Sequence, residues 1–105
     1  MINNHLKEDL NVEKDDDTRT IIIENRWGGV SYIEYAFWIY RGKVVYNRSF
    51  NPPITISALE TKNLTCTDLG VSPNSEYCIN LFEPRGGKYY MIMFVTRDGN
   101  GFIGI

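Results

Sequence analysis

Histidine, cysteine and long apolar runs are scarce in this chain of 105 residues, and each scarcity argues against a class of protein. The single histidine, His5, lies in a polar amino-terminal stretch, so the folded part lacks the usual base for a serine or cysteine nucleophile. Asp, Glu, Lys and Tyr remain as acid or base candidates, but their spacing singles out none of them. We therefore expect a non-catalytic protein that uses no cofactor.

Patterns typical of metal sites and membrane spans are also missing. Cys66 and Cys78 lack a second close pair of ligands, so the sequence predicts no metal site. No apolar run reaches the roughly 18 residues that a membrane-spanning helix needs. The amino terminus lacks the basic-then-apolar layout of a secretory signal. We expect a soluble chain with no membrane span and assign it no compartment.

Charge excludes one class of partner. The net charge is -2, and the basic residues are interspersed with acidic ones. A nucleic-acid-binding surface needs a local basic stripe, which this arrangement does not supply. We therefore expect no nucleic-acid partner, and a carbohydrate, a protein or a companion domain remains as the ligand.

Aromatic residues are abundant: two Trp, seven Tyr and five Phe favour strands over helices. Residues 1–19 are polar and acidic, which predicts a disordered tail or linker, whereas residues 20–105 have the composition of a single folded domain. Within that domain, short apolar or alternating runs are separated by turn residues. The predicted strands are Thr20–Asn25, Ser31–Tyr40, Lys43–Phe50, Ile54–Ser57, Asn63–Cys66, Glu76–Phe82, Lys88–Thr96 and Gly101–Ile105. The pattern predicts an all-β, antiparallel sandwich of about seven to eight short strands.

Turn residues add local detail to this prediction. Arg41-Gly42 predicts a tight hairpin between Ser31–Tyr40 and Lys43–Phe50. Asn51-Pro52-Pro53 predicts the end of the returning strand, because proline cannot donate to a ladder. The segment Ser57-Ala-Leu-Glu60 has the spacing of a capping box and predicts about one helical turn.

A family resemblance follows from the tyrosine-rich strands. The segments Glu34–Tyr46, Gly87-Lys-Tyr89 and Phe94-Val95-x-x-Asp98-Gly resemble immunoglobulin-like accessory domains of bacterial polysaccharide-related proteins, the triple-tyrosine type among them. The resemblance covers roughly residues 20–105 and implies an immunoglobulin-like or fibronectin type III-like sandwich with an accessory, non-catalytic role. The chain departs from the pattern between Phe50 and Glu76, where it is longer and contains both cysteines.

Period-two alternation in the predicted strands suggests a binding face. In Ser31–Tyr40 the odd positions are apolar and the even positions are aromatic or amphipathic, and Lys88–Thr96 is apolar on both faces, which predicts cover on both. The core should then include Phe37, Ile39, Tyr89, Met91 and Met93. The resemblance implies that these two strands are neighbours in one sheet. The predicted binding residues on its outer face are Tyr32, Trp38, Tyr40, Tyr90, Ile92 and Phe94.

Three interpretations of this aromatic face stay open: packing beneath the chain's own segments, a protein or domain interface, and a sugar platform. Two states of the cysteines also stay open. Cys66 and Cys78 form a disulfide if the chain is exported, and they are ordinary thiols if it is cytosolic.

Two functional classes fit these features. In the first, the chain is an accessory module of a larger polysaccharide-related protein and uses an aromatic sheet face for carbohydrate or domain contacts; the apolar ending Gly101–Ile105 fits a piece of something longer. In the second, it is a free-standing protein-binding inhibitor or immunity protein. The first is preferred because it also accounts for the strand motifs.

Overall fold

The computed structural model describes residues 7–83 and 87–104. Seven strands and one short helix account for its regular structure. In chain order the elements are β1 (Leu10–Asp15), β2 (Thr20–Asn25), β3 (Ser31–Tyr40), β4 (Lys43–Ile56), β5 (Thr61–Leu64), α1 (Glu76–Phe82), β6 (Met91–Thr96) and β7 (Gly101–Gly104).

The strands form two antiparallel sheets. The small sheet has the order β1-β2-β5, and the large sheet has the order β4-β3-β6-β7. Each sheet turns one side toward a shared apolar interior, as stacked sheets do. The predicted all-β antiparallel sandwich of seven to eight strands is therefore confirmed, with seven strands described.

Strands β2 and β3 have the predicted bounds, and the predicted hairpin joins β3 to β4. Tyr40 pairs with Lys43 across a two-residue turn. Both turn residues, Arg41 and Gly42, have positive φ, which matches the twist of the flanking strands.

The predicted end of β4 at the prolines is wrong, because β4 continues to Ile56. Ser49 pairs with Tyr35 and Ile54 pairs with Ile33, so residues 50–53 lie opposite Glu34 alone. The strand tolerates Pro52 and Pro53 because it lies at the edge of the large sheet and the prolines fall within this irregularity.

The position of the helix was predicted incorrectly. Residues 57–60 form a turn in which the Glu60 carboxylate accepts a hydrogen bond from the Ser57 amide at 2.7 Å, and Leu59 has a positive φ that helices exclude. The segment Glu76–Phe82, predicted as a strand, is the helix α1. Its N-cap is Ser75, whose side chain accepts from the Cys78 amide.

The structure also differs from the expectation of a disordered tail over residues 1–19. Residues 10–15 form β1, and every residue of β1 pairs with β2. Leu10 is buried in the core, so burial of apolar surface offsets the entropy of ordering this segment. Residues 1–6, and with them His5, lie outside the described residues.

The core lies between the sheets and extends beneath α1. Trp38 and Phe94 are its largest fully buried side chains, with isoleucines from both sheets around them. Cys78, Leu81 and Phe82 bury one side of α1 against this core. The helix thus closes the interior beside the large sheet.

Candidate functional site

The six predicted binding residues do not form an exposed face. Four of them are buried and belong to the core: Trp38, Tyr90, Ile92 and Phe94. Tyr32 and Tyr40 are half-buried. The expected exposure of an aromatic face is therefore corrected, and the alternative in which the chain covers these side chains itself holds for the four buried ones.

A bulge in β3 explains the error. Ile33 pairs with Thr96 on β6, and Tyr35 pairs with Val95, so Glu34 is an extra residue on β3. An extra residue reverses the inward and outward positions of everything that follows it. Ile33 therefore points inward before the bulge, and Ala36 and Trp38 point inward after it.

Trp38 is held by the segment that includes α1. Its Nε1–H donates to the Tyr77 carbonyl at 2.8 Å, and its ring and that of Tyr46 form a T-shaped pair with centroids 5.2 Å apart. A buried indole normally needs such a partner for its N–H. This tryptophan is thus a satisfied core residue.

Tyrosine rings near the Trp38 indole contact one another. Tyr46 and Tyr77 have centroids 4.1 Å apart, and Tyr40 lies edge-on to Tyr90 at 5.8 Å. Burial, followed by the charge of Glu76, raises the pKa of the Tyr77 phenol. Because the rings are turned toward each other, the cluster packs α1 against the large sheet and offers no flat open platform.

Cys66 and Cys78 form a disulfide. The bond ties the chain just after β5 to the first turn of α1, and both cysteines are buried. Of the two states left open by the sequence, the structure has the bridged one. The disulfide holds α1, which contacts Trp38, close to the end of β5.

The open apolar surface lies on the opposite side of the large sheet. We call it the outer face; its residues are Tyr35, Phe37, Ile39, Met91, Met93, Val95 and Ile103. Phe37 pairs with Met93, and Met93 pairs with Ile103, so three neighbouring strands place apolar side chains side by side. Tyr35 is 46% exposed and Ile103 is 48% exposed. A single side of one sheet is thus apolar and accessible.

Polar groups border the outer face. On β4, Asn47 lies across from Phe37 and Ser49 lies across from Tyr35, while the exposed Val44, across from Ile39, continues the apolar surface onto this strand. The carboxylate of Glu34, at the bulge, forms an ion pair with the Arg97 guanidinium, with 3.3 Å between Oε2 and Nε. Apolar residues at the centre with uncharged polar and ion-paired residues at the border are typical of protein interfaces.

The outer face was assigned to the core by the sequence prediction, which expected Phe37, Ile39, Met91 and Met93 to be buried. They are half-buried side chains of the outer face, and Tyr89 is 43% exposed. Glu34 did not reveal the outer face, because under regular alternation a solvent-facing Glu34 places Ala36 and Trp38 outward as well, and the bulge reverses this register.

Lys14, near the end of β1, makes polar contacts with the end of α1 and with the segment before β6. Its ammonium donates to the Leu81 carbonyl at 2.9 Å and to the Tyr90 carbonyl at 2.8 Å, and it lies 3.8 Å from the centroid of the Tyr89 ring. Burial lowers the pKa of Lys14 to about 8, although the charge of Asp16 acts in the opposite direction. Lys14 thereby links β1, the end of α1 and the entry to β6.

No protein-family model matches the chain, and searches of curated proteins and of solved structures found no significant match. Over the part of the chain that the structure describes, no helix has the length and apolar character needed to cross a bilayer.

Proposed function

We propose that this chain is a non-catalytic protein-binding module whose outer face docks against another protein or a companion domain. The observation that carries the proposal is the row of accessible apolar side chains on one side of the large sheet. Contiguous exposed apolar surface of a few hundred Å² is often a binding site. Aromatic residues and methionine, both present here, are enriched in protein interfaces.

A protein partner is favoured over a sugar by the position of the aromatic rings. Trp38, Tyr90 and Phe94 are turned into the core. On the outer face the two aromatic rings are Tyr35 and Phe37, which stack on each other at 6.2 Å. The remaining side chains there are aliphatic or methionine and lack hydrogen-bonding groups for sugar hydroxyls. Such a surface is suited to apolar contact with a protein.

The resemblance to immunoglobulin-like accessory domains supports the same proposal. Two antiparallel sheets with a buried tryptophan on the third strand are features shared with immunoglobulin-like sandwiches. In the accessory role, the partner is a companion domain of a larger polysaccharide-related protein. In the free-standing role of an inhibitor or immunity protein, it is a separate target protein.

Site-specific photo-crosslinking in the source cells tests the proposal. We would place benzoylphenylalanine at Tyr35 on the outer face and, as a matched control, at Asn63, which is exposed on β5 of the small sheet. We expect a covalent adduct from position 35, either with another polypeptide or with a companion domain of the same one, and none from position 63. Equal yields from both positions, or no adduct from position 35, would contradict a binding role for the outer face.

A further inference from the structure

We propose that the partner of the outer face is a second copy of this chain, so that two large sheets pack face to face in a symmetric dimer. The inference rests on the proposed function, because it names the occupant of the same surface. A two-fold dimer places one surface patch against itself, so the patch must be self-complementary in shape and in charge.

The outer face meets the requirement of self-complementary charge. Its seven residues are all uncharged, so a copy laid upon it brings no like charges together. The border carries both signs in one ion pair, Glu34 with Arg97. A two-fold rotation can set Glu34 of one copy near Arg97 of the other. The net charge of -2 adds little repulsion between copies.

The size of the outer face fits the apolar centre of a dimer interface. With strands about 4.8 Å apart and residues about 3.4 Å apart along each strand, the face covers a few hundred Å². A stable interface buries about 800 Å² on each partner, with an apolar centre and a polar border. The outer face supplies the centre, and Asn47, Ser49 and the Glu34–Arg97 pair begin the border.

Sheet packing indicates which side chains meet. Stacked sheets lie about 10 Å apart with strand directions within about 30° of each other. Phe37 and Met93, cross-strand neighbours on the two middle strands of the large sheet, occupy the centre of the face. We therefore place Phe37 beside its own counterpart near the dimer axis.

Sedimentation of the purified chain over a wide concentration range provides the first test. We expect a monomer–dimer equilibrium, with Phe37→Lys raising the dissociation constant at least about tenfold because two buried ammonium groups would face each other. Leu59→Lys is the control, since Leu59 is 73% exposed and lies in the turn between β4 and β5, which contributes no residue to the outer face. Circular dichroism checks that each variant keeps its fold.

A charge-swap mixture separates a true interface from damage to the fold. Phe37→Lys and Phe37→Glu should each be monomeric, and an equimolar mixture of the two should dimerise, because opposite charges then meet at the axis. A mixture that stays monomeric although wild type dimerises would overturn the placement of Phe37 at the axis.

Disulfide trapping gives a direct measure of the contact. Both native cysteines are bridged, so Phe37→Cys introduces the only free thiol of the chain. We expect mild oxidation to convert this variant into a covalent dimer at least tenfold faster than Asn63→Cys, the control on the small sheet. Equal rates would contradict a face-to-face dimer.

The outcomes separate the two proposals. A wild-type chain that stays monomeric at all concentrations, together with a cellular adduct of a different polypeptide at position 35, overturns the dimer and retains the binding function. Monomer in solution and no adduct in cells overturns both. A dimer in solution and an adduct of twice the chain mass supports both.

Discussion

At the residue scale, one buried carboxylate connects three distant parts of the chain. Glu8, just before β1, accepts hydrogen bonds from the Ser31 hydroxyl at 2.7 Å, the Thr96 hydroxyl at 2.5 Å and the Asn100 side-chain amide at 2.7 Å. Ser31 in turn accepts from the Trp27 indole at 3.0 Å. A buried carboxylate is costly unless it is hydrogen-bonded in this way.

Replacing Glu8 should therefore destabilise the fold. In Glu8→Ala the donors of Ser31, Thr96 and Asn100 lose their common acceptor, and we expect the free energy of unfolding to fall by about 3 kcal/mol. Urea denaturation measures this change, with Glu13→Ala, an exposed position on β1, as the control. Equal urea midpoints for the two variants would show that the hydrogen bonds to Glu8 contribute nothing to stability.

A second prediction at this scale concerns pH. The pKa of Lys14 is lowered to about 8, so between pH 8 and the usual lysine value of 10.5 the unfolded chain binds more protons than the folded chain. Stability should then rise with pH in that window, by about 1 kcal/mol once solvent screening of this half-exposed group is allowed for. Thermal unfolding from pH 7.5 to 9.5 would measure the rise.

Lys14→Met serves as the control for that measurement. The variant keeps most of the side-chain length but has no titrating group, so its stability should lack the rise attributed to Lys14. If wild type and variant show the same pH dependence, the rise does not originate at Lys14.

At the scale of elements, the strands with clear alternation were predictable and the helix was not. β2 and β3 were recognised as short apolar or alternating runs between turn residues, a pattern that is set by local sequence. In α1, however, Glu-Tyr-Cys-Ile-Asn-Leu-Phe is as aromatic and apolar as a strand. The helical spacing of its buried apolar residues, Cys78, Leu81 and Phe82, was the available signal, and the disulfide to Cys66 anchors the helix where it packs.

The disulfide gives a prediction at this scale. In the double variant Cys66→Ser, Cys78→Ser, the unfolded chain is no longer constrained by a closed loop of about 13 residues. The conformational entropy that it gains should lower the free energy of unfolding by roughly 3 kcal/mol. Denaturant unfolding of wild type and variant gives the difference directly. Wild type treated with a thiol reductant should behave like the double variant, and retention of full stability in both would contradict the prediction.

At the scale of the whole molecule, the fold class followed from short strands separated by turn residues, whereas the side of the large sheet that faces the interior did not. Both faces of β3 and β6 carry apolar side chains, so hydrophobicity alone does not distinguish them. The choice depends on the extra residue Glu34, whose effect is geometric. The outer face could not be found by counting apolar positions.

A pair of alanine variants tests which face is interior. Trp38→Ala empties a fully buried volume and should reduce the free energy of unfolding by about 4 kcal/mol. Tyr35→Ala, on the exposed side of the same strand, should change the free energy by less than about 1 kcal/mol. Chemical denaturation of both variants gives the comparison, and a greater loss for Tyr35→Ala would reverse the assignment of the two faces.

The bulge at Glu34 also bears on how β3 responds to a change in length. Deletion of Glu34 would join Ile33, which pairs with Thr96, directly to Tyr35, which pairs with Val95, so the ladder with β6 would continue without a break and Trp38 would keep its inward position. Glu34 is thus a one-residue insertion in an otherwise regular strand. In β3, the spacing between residues therefore determines which side chains form the interior as much as the residues themselves do.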